Sequence, residues 1–96
     1  MKIKNETFET LIESIEFMVN DAYKKIENLK YGKFSKRVFN AKYTMLRQKY
    51  GEIRGMMDFL YCTYTDDGKS IIEADDRAKN LLREQDNLRY EINSLD

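Results

Sequence analysis

The residues best suited to chemistry in this chain are carboxylates in close pairs. Glu13-Ser14-Ile15-Glu16 and Glu73-Ala74-Asp75-Asp76 each place acids three residues apart, which is one side of a helix. Carboxylate pairs that converge can hold Mg2+ through oxygen ligands, and the ion then orients and polarises a phosphate substrate. That chemistry needs the acids to be gathered and partly buried. Here they fall mainly on the outer positions of the apolar repeats described below, where carboxylates are ordinarily solvated.

Other reactive constellations are incomplete. The 96 residues contain no histidine, so the commonest general base and most transition-metal sites are missing. Cys62 is the single cysteine. It cannot form an internal disulfide, which fits a reducing compartment, and it lacks the histidine that would activate it as a nucleophile. Gly68-Lys69-Ser70 resembles the end of a phosphate-binding loop, but that loop's first glycine would fall at position 63, which is Thr63. Asp66-Asp67-Gly68 resembles part of a calcium loop, yet the bidentate acid it requires would fall on Ala74. The expectation is a non-enzymatic protein with no catalytic or metal-binding residues, no cofactor and no small-molecule substrate. The acidic pairs are similar to those of all-α nucleotide pyrophosphatases. That resemblance implies, as a minor alternative, a magnesium-dependent nucleotide hydrolase.

Basic side chains offer a different chemistry. In LKYGKFSKRVFNAKY, residues 29–43, cations alternate with aromatic rings. Lys30, Lys33, Lys36, Arg37 and Lys42 are candidate contacts for an anion or a nucleic-acid backbone. Lys33, Lys36 and Arg37 precede or open a helix, where the macrodipole favours acids instead. Free backbone N–H groups there would add to an anion site. The aromatics do not form a base-stacking platform, because Phe39 and Tyr43 belong to an apolar stripe.

The elements that must position these groups are legible from a seven-residue apolar repeat, present three times. One stripe is Phe8, Ile12, Ile15, Val19, Ala22, Ile26 and Leu29. The next is Phe39, Tyr43, Leu46, Tyr50, Ile53, Met57, Leu60 and Tyr64. The last is Ile71, Ala74, Ala78, Leu81, Gln85, Leu88, Ile92 and Leu95. With 42% hydrophobic residues and no proline, the chain has core material and no helix breaker. Gly32 is expected to cap the first helix in a left-handed conformation. Ser35 should cap the second, with Tyr31 and Phe34 folding over that end. Ser70 with Glu73 forms a capping-box pattern for the third, and Asn5 or Thr7 can cap the first. The reading is all-α: a single domain, residues 1–96, folded as an antiparallel, coiled-coil-like three-helix bundle with helices near 5–31, 35–64 and 70–95. Gly51 and Gly55, followed by the aromatic-rich MMDFLYCTYT, raise a bend or a strand as the competing outcome for the second helix.

Net charge is zero, but residues 24–54 hold ten basic and two acidic side chains, while both flanks are acidic. Folding the hairpins makes a rod with a basic end and an acidic end. The second helix also carries apolar residues outside its stripe. Met45, Met56, Phe59 and Cys62, with Val38 and Ala41, lie behind it, and Gly51 and Gly55 would let another helix approach closely. This face is expected to contact a protein partner or a second copy in a homodimer. No apolar run reaches the length of a membrane span, and no signal-peptide core opens the chain. The expected setting is therefore cytoplasmic. Composition rich in Lys, Asn, Ile and Tyr suggests a bacterial or phage source. The function expected is a small protein-interaction module, such as a regulator, inhibitor or accessory factor. Nucleic-acid binding through the basic end is the main alternative.

Overall fold

Each apolar stripe becomes a helix face, and the faces close on one another. The computed structural model describes residues 5–64 and 68–95, without the side chains of residues 5 and 6. Its helices are α1 (Asn5–Tyr31), α2 (Lys36–Tyr61), α3 (Ile71–Ala74) and α4 (Asp76–Asn93). All seven stripe residues of α1 are buried, from Phe8 to Leu29. In α2 the stripe residues Leu46, Ile53, Met57 and Leu60 are buried, while Phe39, Tyr43 and Tyr50 are half-buried. Ala78, Leu81, Leu88 and Ile92 bring α4 into the same core. Burying a side chain the size of Ile or Leu contributes roughly 1.5–3 kcal/mol, which is why the stripes, not local propensity, hold the bundle together.

The path is up, down, up. Residues 32–35 join α1 to an antiparallel α2. Contacts of α1 with α4 rise together along the two chains: Glu9 with Arg77, Tyr23 with Glu84, Lys30 with Glu91. These two helices therefore run parallel. The product is a rod of 53 × 20 × 16 Å. Among the described residues, no helix is long and apolar enough to cross a membrane.

The helix ends depart from expectation in four places. First, α2 is one helix through Gly51 and Gly55, as expected and without the competing strand, but it stops short of residue 64. It starts as expected, with the Ser35 hydroxyl accepting the Val38 N–H at 3.3 Å. It ends at Tyr61, because the next backbone groups pair elsewhere. The Ile71 N–H donates to the Thr63 carbonyl at 3.0 Å, and Tyr64 bridges to Ser70. Tyr64 is consequently exposed, and Thr63 is buried in its place.

Second, the last helix is split. Asp75 adopts an extended conformation (φ −115°, ψ 124°) and its carboxylate accepts the Ala78 N–H at 3.0 Å, starting α4. Ser70 sits at the start of α3, but its side chain makes no capping bond. The break shifts the register, so Ile72 is buried where Ala74 was expected, and Ala74 is exposed. Third, Gly32 does not have a positive φ; among the described residues only Gly68 does, at 82°. Gly32 is needed for space, since a Cβ there would run into the Phe34 ring and the Asn28 carbonyl. Fourth, Phe34 packs on the core as expected, but Tyr31 stands in solvent. The Asn5 side chain, Thr65, Asp66, Asp67 and Asp96 lie outside the described residues.

Candidate functional site

The basic end divides into engaged and available cations. Lys30 donates to Glu91 at 2.8 Å, and that carboxylate raises the ammonium pKa above its ordinary value. Lys42 lies over the Phe34 ring, 5.1 Å from its centre, a cation–π contact. Lys25 pairs with Asp21 at 2.7 Å, which lowers the Asp21 pKa. Lys33, Lys36 and Arg37 are exposed and make no ion pair among the described residues. The first turn of α2 holds no acid. Of the five candidate cations, Lys30 and Lys42 are thus committed to Glu91 and Phe34.

The outer face of α2 is the second surface. Met45 is 63% exposed and Phe59 40%, and Val38 and Ala41 are exposed beside Met45. Cys62 is also exposed. Met56 differs from its neighbours: it is half-buried and packs on the core. A Cβ added at Gly51 or Gly55 would meet nothing within 4 Å. α1 and α4 therefore leave this side of α2 uncovered.

One acid from each pair, Glu16 and Asp76, lines a shared groove beside Arg77. Arg77 of α4 reaches across to α1 and binds Glu9 at 2.5 Å and Glu16 at 3.1 Å. Both carboxylates raise the Arg77 pKa. Asp75 is used as the α4 cap. Among the described residues, no three carboxylate or thiol groups are placed to hold a metal ion. Of the two pairs, Glu16 and Asp75 are engaged in helix contacts, while Glu13, Glu73 and Asp76 are exposed.

Two arrangements escaped the sequence. Arg47, Arg54 and Arg89 line a groove of about 190 Å³ between α2 and α4, together with Tyr50, Ile92 and Asn93. The seven-residue spacing of Arg47 and Arg54 beside the core stripe was the available signal. Tyr23 donates to Glu84 at 2.6 Å and accepts from Asn87 at 2.7 Å, and burial raises its pKa. Nothing local marks this cross-helix cluster, because its partners are more than sixty residues away.

Compared with protein-family models, with curated proteins and with solved structures, the chain matches none.

Proposed function

We propose that the chain is a small protein-interaction module acting through the outer face of α2, in the manner of a regulator, inhibitor or accessory factor. One observation carries this reading: Met45 is largely exposed and Phe59 partly so, on a face where Gly51 and Gly55 leave open space. Contiguous exposed apolar surface marks interfaces, and Val38, Ala41 and Met45 are exposed in succession on this helix, with Phe59 further along it. Thioethers and aromatic rings adapt to a partner surface at modest ordering cost. Glycines let a facing helix come close without displacing anything in the bundle.

Gly55→Leu and Phe59→Glu test the proposal. Both sites lie outside the core, so the fold should be kept, with Gly55→Leu gaining up to about 1 kcal/mol of helix propensity, while the mass of the assembled species in light scattering falls. Assembly that survives both substitutions would remove this face from consideration.

A second reading has its own support. Lys33, Lys36 and Arg37 stand together at a helix start with no acid in the first turn. A nucleic-acid backbone would suit that corner. Anisotropy titrations of labelled DNA and RNA should then show binding that weakens steeply between ~50 and ~200 mM salt and is lost in Lys36→Ala with Arg37→Ala. Absence of binding at low salt would leave the corner as a solvated helix start.

A further inference from the structure

We infer that the groove between α2 and α4 is a binding site for a diphosphate group, free or carried by a nucleotide. Arg47, Tyr50 and Arg54 line it from α2, and Arg89, Ile92 and Asn93 line it from α4. The site is separate from the outer face of α2 and from the basic corner where that helix starts.

The charge layout of this seam is the reverse of its neighbour's. Where α4 meets α1, the polar contacts are complementary: Arg77 binds Glu9 and Glu16, Tyr23 donates to Glu84, and Lys30 donates to Glu91. Where α4 meets α2, three arginines share one groove and, among the described residues, no acid lines it. Acids do occur on both helices, at Glu52, Asp58 and Asp86. Among the described residues, none of them is ion-paired with an arginine of the groove. Cations gathered from two helices repel one another, and the repulsion grows beside a low-dielectric core. A bound anion reverses its sign. A local rule broken without gain to the fold is where binding is to be sought.

The lining selects the anion. Each guanidinium offers a planar fork of N–H donors that matches phosphate oxygens two at a time. Arg47 is already oriented, since it donates to the Tyr43 hydroxyl at 3.2 Å and lies 5.7 Å from the centre of that ring. Arg54 and Arg89 are exposed and make no ion pair among the described residues. Arg47 and Arg54 are two turns apart, about 10 Å along the helix. Two linked phosphoryl groups suit that length better than one, because each end then meets a guanidinium of its own. The groove is about 190 Å³, below the roughly 300–1,000 Å³ of a drug-sized ligand's pocket. A compact anion therefore fits inside, and a nucleoside attached to it would lie on the surface beyond. Asn93 adds a carboxamide donor, while half-buried Tyr50 and buried Ile92 supply the apolar side.

Isothermal titration calorimetry of the full chain with pyrophosphate and with adenosine diphosphate, at low and constant ionic strength, tests the assignment. Both ligands should bind. Arg54→Gln and Arg89→Gln should each weaken binding about tenfold or more, as loss of a hydrogen bond to a charged group does, with the circular dichroism spectrum unchanged. Arg83→Gln removes an exposed arginine elsewhere on α4 and should leave affinity as it was, which controls for net charge. Equal affinities would support a free diphosphate as the ligand, and tighter adenosine diphosphate would support a nucleotide. Failure of both to bind at millimolar concentration would overturn the proposal, as would binding of adenosine diphosphate without pyrophosphate. Affinity weakened as much by Arg83→Gln as by Arg89→Gln would reduce the effect to overall charge and overturn it. Binding lost only in Lys36→Gln with Arg37→Gln would move the anion to the basic corner, again against the groove.

Discussion

Glycine carries two different messages in this chain, and the difference is measurable. Gly32 has no room for a side chain, because the Asn28 carbonyl and the Phe34 ring occupy the space. Gly32→Ala should destabilise the fold by roughly 1–3 kcal/mol through overpacking. Gly55 faces open space in a regular helix, so Gly55→Ala should stabilise the isolated protein by about 1 kcal/mol. Denaturant unfolding of both variants at low protein concentration checks the pair. A neutral Gly32→Ala, or a destabilising Gly55→Ala, would contradict the geometry. The existence of both glycines was plain in the sequence, and Gly32 was placed correctly at the end of α1. Its cause was not legible, because the Phe34 ring that excludes a Cβ returns only after the chain has turned.

At the scale of elements, periodicity told most about where a helix would bury one continuous face. The α1 stripe from Phe8 to Leu29 is buried throughout, because seven-residue spacing alone decides which side of a long helix meets the core. Helix ends were harder. Ser70 and Asp75 are both residue types that cap helices, and the sequence does not choose between them. Tertiary packing chooses Asp75, since breaking there lets Ile72 reach the core. Asp75→Ala should therefore cost about 1 kcal/mol through loss of the bond to the Ala78 N–H. Ser70→Ala should be close to neutral, since its side chain caps nothing. Equal effects of the two substitutions in thermal unfolding would restore the capping box. The candidate surfaces were legible to a similar degree. Met45 and Phe59 stand off the stripe, so their exposure followed from helical geometry. The pairing of Lys30 with Glu91 and the reach of Arg77 to α1 join residues 61 or more positions apart, beyond the range of any local pattern.

At the scale of the whole molecule, a rod of 53 × 20 × 16 Å leaves the outer side of α2 uncovered, and the proposed function is side-on association through it. Under the proposed function, exposure on α2 differs in kind from exposure elsewhere. Phe17 and Tyr90 are 72% and 70% exposed, more than Met45 or Phe59, yet they stand alone on other helices. A photo-crosslinking amino acid at each of these four positions, introduced one at a time in cells, separates the cases directly. Discrete covalent adducts should form from positions 45 and 59 and not from 17 and 90, and Gly55→Leu should remove them. Adducts equal at all four positions, or confined to 17 and 90, would contradict an interaction surface on the second helix.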